Sequence, residues 1–282
     1  MRLGQIRFEN KLTAAVFEGG GARPIPGYST VELIRKAATE SVGLGELADE
    51  LATRHAEACP PVIPILPVEV WACGCTFQTS ATSPCGKHGG AGDSIYGKAY
   101  GHERPEIFFK GTARVCVGPG QDIGIRFDSK LTAPEPELVL ILGRKGQVLG
   151  YTLGNDVSAW DIERENPLYI PQSKIYTGSC ALGPVIVTAD EIADPAQLEV
   201  TCTVRRGGEE RFSGCFPLGG LKRCLGSLIE YLLRANPVPA GSVLLTGTGI
   251  IVSEEAALEP GDTVIIGTPA IGELVNTAAV VR

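Results

Sequence analysis

The sequence has no excess of positive charge. Its 25 Lys and Arg are outnumbered by 32 Asp and Glu, a formal net charge of −7. Nucleic acids and anionic membrane surfaces need basic patches, so neither is expected as a partner. No apolar run is long enough to span a bilayer. The first residues, MRLGQIRFENKLTAAVFEGG, carry charges where a secretory signal needs an apolar centre. These features predict a cytoplasmic protein. The nine cysteines include no Cys-x-x-Cys pair, which argues against a dithiol redox centre. Most are expected to stay thiols packed as small hydrophobes. One group is worth naming as a Cys3His zinc candidate: Cys73, Cys75, Cys85 and His88. Its halves lack the spacing of structural zinc sites, so packing is the preferred reading.

What is present is a chain of 282 residues, 44% hydrophobic and 20% charged, enough for one sizeable core with a small appendage. Residues 1–28 read as short strands and turns. Ser29 with Glu32 has the capping-box pattern, and Val31, Leu33, Ile34, Ala37 and Ala38 form a helical stripe behind it. A second short helix is predicted around Glu46–Arg54. Pro60, Pro61, Pro64 and Pro67 then forbid regular structure. This places a boundary near residue 68, dividing a small N-terminal α+β domain (1–68) from a larger one (69–282). In the larger part, strands are predicted at Val70–Thr76, Glu135–Leu142, Gln147–Leu153, Val185–Val187, Leu198–Arg205, Val243–Thr246 and Thr263–Gly267. One long helix is predicted over Leu221–Ala235. The βαβ rhythm is absent, which predicts a β-rich α+β fold with mostly antiparallel pairing. Residues 78–95 are small, polar and Gly-rich, the composition of a long loop or lid.

The stretch TAPEPELVLIL carries the chemistry. Glu135 and Glu137 stand two apart at the mouth of an apolar strand, so both side chains share a face. Folding the chain about residues 144–145 puts Glu137 opposite Thr152 and Glu135 opposite Gly154. Asp156 then lies on the same face, diagonal to Glu135. Three converging carboxylates repel one another unless a cation compensates. An all-oxygen set suits Mg²⁺ or Mn²⁺ and leaves coordination places open for substrate. The alternative reading is a solvated strand end whose charges keep the edge soluble.

Five segments together resemble the fumarylacetoacetate hydrolase superfamily: PEIFFKGT (105–112), RFDSKLTAPEPELVLIL (126–142), GYTLGNDVSAWD (150–161), SKIYTGSCALGPVIV (173–187) and LLTGTGIIV (244–252). They occur in the family's order over most of residues 70–282. The resemblance implies a mixed β-roll or barrel, a homo-oligomer (a dimer or a dimer of dimers), and Mg²⁺ held by Glu135, Glu137 and Asp156. Hydrolase members carry a His-x-x-Glu dyad near the lid. Here His88 is followed three residues later by Ala91, and His102 by Pro105. The missing dyad, the run GNDVSAWDIERENPLYIPQSKIY and the Thr-Gly-Thr-Gly at 246–249 look most like the family's sugar-acid dehydratases. Trp160 departs from the small or Arg residue of many members and is expected to reshape the pocket.

The resemblance therefore implies Mg²⁺-dependent dehydration of a 2-keto-3-deoxy sugar acid, giving 2,5-dioxopentanoate from a five-carbon substrate by way of a metal-stabilised enolate. The alternative within the family is an acylpyruvate or fumarylacetoacetate-type C–C hydrolase. Outside enzymology, the alternative is a silent binding protein that keeps the fold and metal. By resemblance Lys174 is the base or enolate-stabilising group, with a pKa expected to fall near a metal in a partly dry pocket. Glu106, beside the apolar Ile107–Phe109, is the candidate acid. Thr248 and Gly247 are candidates for binding the substrate carboxylate through hydroxyl and amide groups. Lys110 and Arg126 are weaker substrate-binding candidates.

Overall fold

The strand that carries the two glutamates, Pro136–Leu142, is buried along its whole length. It sits inside a large mixed sheet, between Val148–Asp156 and Ser242–Leu245, both antiparallel to it. The computed structural model describes residues 1–81 and 95–282, leaving aside the side chains of 80 and 81. The sheet runs from Gly21–Ile25 through Lys11–Glu18, Arg2–Phe8, Cys180–Thr188, Val148–Asp156, Pro136–Leu142, Ser242–Leu245 and Val70–Gly74 to Glu106–Gly111. Cys116–Val117 pairs with Cys180–Thr188 off this path. A second sheet orders Glu209–Pro217, Glu199–Arg206, Thr263–Thr268, Gly272–Val281 and Asp122–Arg126. Both sheets are open, so the architecture is β-rich and mixed without a closed barrel.

Alternation along the glutamate strand explains why it is apolar on both sides. Leu138, Leu140 and Leu142 pack in the core that also takes Val200, Cys202, Val204, Val264, Ile266 and Leu274 from the second sheet. Val139 and Ile141 pack on the opposite face with Leu33, Ile34, Ala37 and Leu47. Those four come from the helices Thr30–Glu40 and Leu44–Leu51. A strand covered on both faces reads as a continuous apolar run. Glu135 and Glu137 share the face of Val139 and Ile141, at the start of the strand.

The N-terminal hairpins appear as read, and Ser29 and Glu32 form the capping box. Such a cap contributes roughly 1 kcal/mol. The first strand pairs with Cys180–Thr188, so the sheet continues across the proline-rich stretch. Three elements differ from expectation. The second helix is Leu44–Leu51, begun by Gly43 as N-cap. The long helix is shortened to Leu225–Leu233, because Leu218–Gly220 is a separate 3₁₀ turn and Cys224 is the N-cap. The strand expected at Val185–Val187 is the tail of Cys180–Thr188, which carries Pro184 where its pairing with Val148–Asp156 shifts register, a position a proline tolerates. The strands Glu209–Pro217 and Gly272–Val281 were not expected: the first is mostly exposed, and the second buries Asn276 while exposing Val275 and Val280. Among the described residues all cysteines are free thiols. Cys73 and Cys75 are buried, while Cys85 and His88, the other half of the zinc candidate, lie outside the described residues.

Candidate active site

The carboxylates converge through a register two residues from the expected one. Gly154, not Thr152, faces Glu137. The Asp156 N–H donates to the Glu135 carbonyl at 2.9 Å, so these two residues stand directly opposite. One residue of the difference comes from the turn, which spans Gly143–Gln147 and is closed by the Gly143 N–H to the Gln147 carbonyl. The other comes from a bulge between Val148 and Gly150. One such slip would have turned Asp156 to the other face; two restore it.

Oxygens of Glu135, Glu137 and Asp156 lie within 4.8 Å of one another. Each acid is held separately. Trp160 Nε1 donates to Glu135 Oε1 at 2.7 Å, and Asn155 Oδ1 accepts the Glu135 N–H at 3.0 Å. The Gly247 N–H donates to Glu137 Oε2 at 2.5 Å. Gly247 has φ +90°, and a Cβ there would collide with Thr76, so only glycine delivers that amide. Asp156 pairs with Lys110 at 2.5 Å and Lys174 at 3.1 Å. Lys174 also reaches Glu135 Oε2 at 3.0 Å and donates to Ser158 Oγ at 2.6 Å.

The charges do not balance. Burial pushes the Glu137 carboxyl well above the usual range, and Asp156 and Glu135 push it further. Burial would raise Asp156 too, but Lys110 and Lys174 outweigh it and hold it low. Burial pulls the Lys174 ammonium down, yet Asp156, Glu135 and Glu163 outweigh it and hold it well above its ordinary value. Among the chain's own groups, the acids around Lys174 count for more than desolvation. Glu137 Oε1 is buried and has no hydrogen-bond partner among the described residues. A buried, unpaired carboxylate oxygen beside two further acids is the signature of a divalent cation site with hard oxygen donors.

A cavity of about 600 Å³, including its open mouth, lies beside the trio. Glu106, Glu135, Lys174, Thr248, Trp160 and Glu163 line it, with Phe108, Ile170 and Ile251 as apolar wall. Glu106 lies across Gly74, its neighbour in the adjacent strand, and a Cβ at Gly74 would occupy the place of the carboxyl group. Burial raises the Glu106 pKa, against the opposing effects of Cys75 and Lys174. Lys110, Arg126 and Gly247 do not line the cavity. Lys110 is fully buried behind Asp156, where it also donates to the Val157 carbonyl at 3.1 Å. Arg126 is engaged with Asp128 and the Gln172 carbonyl and lies over the Tyr176 ring. Gly247 spends its amide on Glu137. Glu163 was missed. It follows Trp160 by three residues on the short helix Trp160–Glu165, a spacing that puts both on one side; the prominence of Trp160 was the available signal.

Residues 90–279 match the family described as Fumarylacetoacetate (FAA) hydrolase C-terminal. The chain belongs to the fumarylacetoacetate hydrolase family. It is 45% identical over 215 residues to 2-dehydro-3-deoxy-D-arabinonate dehydratase of Saccharolobus solfataricus, covering 76% of this chain and 72% of that protein. It is 39% identical over 233 residues to a Haloferax volcanii protein named probable 2-keto-3-deoxyxylonate dehydratase, covering 83% and 78%. The solved structure of a 2-keto-3-deoxy-D-arabinonate dehydratase complexed with magnesium and 2,5-dioxopentanoate superposes with a TM-score of 0.83, at 34% identity over the full length of both chains. Among the described residues no helix is long and apolar enough to cross a membrane.

Proposed function

We propose that this protein is a Mg²⁺-dependent dehydratase of 2-keto-3-deoxy sugar acids, converting a five-carbon substrate to 2,5-dioxopentanoate. The observation that carries this reading is the unbalanced trio of Glu135, Glu137 and Asp156 with Lys174 against it, at the wall of a cavity. The likeness to two proteins named as dehydratases of such acids supports it.

A Mg²⁺ held by Glu135, Glu137 and Asp156 would polarise a 2-keto acid and stabilise the negative charge that develops when its C3 proton leaves. With the charge of those acids offset, burial would act on Lys174 against less opposition, and the amine would be the group placed to accept the C3 proton. Ser158 Oγ accepts from Lys174 Nζ and donates to the Asp156 carbonyl at 2.8 Å, which fixes the amine's direction. Burial raises the Glu106 pKa, which favours the acid form that can give its proton to the departing C4 hydroxyl. Thr248 sits at the wall where its hydroxyl can meet the ligand. Residues 69–282 supply all of these groups; 1–68 form the small N-terminal unit. The same reading takes the protein as cytoplasmic and as a dimer or a dimer of dimers.

The test is product analysis. Protein stripped with EDTA is given 2-keto-3-deoxy-D-arabinonate with and without Mg²⁺. Aldehyde formed only with metal, and lost in Glu137→Gln, is the expected result. Cleavage of an acylpyruvate into two acids, with no aldehyde from the sugar acid, would replace the dehydratase with a hydrolase.

A further inference from the structure

Glu163 has no part in the scheme above, yet it lines the same cavity. Its side chain is only 12% exposed. Tyr96 Oη donates to its Oε1 at 3.1 Å, which fixes the carboxylate plane. Its Oε2 is buried and makes no hydrogen bond among the described residues. Lys174 Nζ stands 3.8 Å from it, outside hydrogen-bond range. A buried carboxylate oxygen left without a donor is costly, and one facing a cavity is satisfied when a ligand brings the donor.

The distances from Lys174 say which part of a ligand this would be. Lys174 Nζ lies 3.0 and 3.1 Å from Glu135 and Asp156, two acids of the trio, and 3.8 Å from Glu163, which lines the cavity outside the trio. A 2-keto acid with its keto-acid end at the trio and C3 beside Lys174 would have Glu163 within reach of its remaining carbons. We propose that Glu163, aimed by Tyr96, accepts a hydrogen bond from the terminal hydroxyl of the substrate and so selects a hydroxylated 2-keto acid over its deoxy analogue. This specificity role rests on the dehydratase reading and extends it to the far end of the substrate.

Two compounds separate the groups. 2-Keto-3-deoxy-D-arabinonate carries hydroxyls on C4 and C5. 4-Hydroxy-2-oxopentanoate keeps the leaving C4 hydroxyl and has a methyl group at C5. The wild-type protein with Mg²⁺ is expected to favour the first by roughly 10- to 100-fold in kcat/KM, the range for a hydrogen bond to a charged group. In Glu163→Leu that ratio collapses to within about threefold, mostly through KM for the hydroxylated compound. Glu163→Gln, which keeps the shape but removes the charge, narrows it by a smaller factor and decides the matter should the Leu variant fail to fold. Thermal stabilisation by pyruvate with Mg²⁺, a ligand with no distal hydroxyl, is retained in a folded variant and reports the trio separately. A ratio unchanged in both variants, or no preference in the wild type, overturns the role of Glu163. A wild-type protein that dehydrates neither compound and gains nothing from pyruvate with Mg²⁺ removes the dehydratase reading itself, and this inference with it.

Discussion

Two places in this molecule bury acids beside cations, and they are built differently. Asp262 is fully buried and meets Arg206 through two parallel bonds of 2.9 Å, while its Oδ2 also accepts the Glu259 N–H at 2.8 Å. Arg206 also donates to Glu259 and the Ala257 carbonyl. Burial opposes the charge on Asp262, but Arg206 and the Glu259 amide outweigh it and hold its pKa low. The cavity region instead gathers Glu106, Glu135, Glu137, Asp156 and Glu163 around Lys110 and Lys174. There buried oxygens of Glu137 and Glu163 make no hydrogen bond among the described residues, and burial pushes Glu163 to about 7. A closed network whose buried acid meets a cation through two bonds braces a fold. An open one with surplus negative charge is stable only because the surrounding sheet enforces it, and it gains when a cation or a donor arrives.

The largest difference should appear on removing the cation from each place. Lys174→Met is expected to lower kcat roughly 10²- to 10⁴-fold, the range for a general base or acid. Arg206→Met should leave kcat within about threefold while lowering the melting temperature. Steady-state assay and thermal unfolding of both variants check this. A large loss of kcat in Arg206→Met would erase the distinction between brace and machinery.

How far the site could be read from the chain follows from the same physics. Glu135 and Glu137 were legible because a strand's period of two leaves no choice about their shared face. Asp156 was placed on the right face although turn and bulge each shifted its partner, since two slips of one residue preserve parity. Lys174 has no local signal: it ends the short helix Ile170–Lys174, and only the family resemblance picked it out. Lys110 shows the limit of counting charges near a motif. It shares a strand face with Glu106 and Phe108, but the strand carries it past the cavity and under Asp156. Glu163 depended on where the short helix Trp160–Glu165 packs, which periodicity does not report. Glu209–Pro217 and Gly272–Val281 were hidden for a related reason: the first is mostly exposed, and the second buries Asn276 while exposing Val275 and Val280, so neither shows the apolar alternation on which strand reading relies.

Next in size is the brace itself. Asp262→Asn leaves Arg206 facing a neutral amide, and losing one partner of a buried pair costs about 3 kcal/mol. The pH dependence has a definite sign. The folded pKa of Asp262 is depressed, so its contribution is present above the unfolded value and is lost as pH falls below about 4. Urea unfolding of the wild type should therefore weaken on acidification more steeply than that of the variant. Parallel curves from pH 6 to pH 3 would mean that the Arg206 pair contributes no net stability.

The smallest effect is the most telling, because its sign is opposite. In stripped protein, Glu137→Gln should be neutral or stabilising by up to about 1–2 kcal/mol, since it removes a like charge from a buried cluster. The folded pKa of Glu137 is raised. Stability is then unaffected at low pH and declines as pH rises from the unfolded value near 4.5 towards the folded one. Stripped wild type should lose stability over that rise, and the variant should lose less. Mg²⁺ should reverse the order. At a hundred times its dissociation constant it adds about 2.7 kcal/mol to the wild type, a rise of several degrees in melting temperature for a chain of this size. The variant, with one ligand weakened, should gain markedly less. An acid whose removal helps the metal-free protein and harms the metal-loaded one is held in place for the cation. If Glu137→Gln instead destabilises the stripped protein as Asp262→Asn does, the trio is a brace like the other, and the contrast between the two regions is gone.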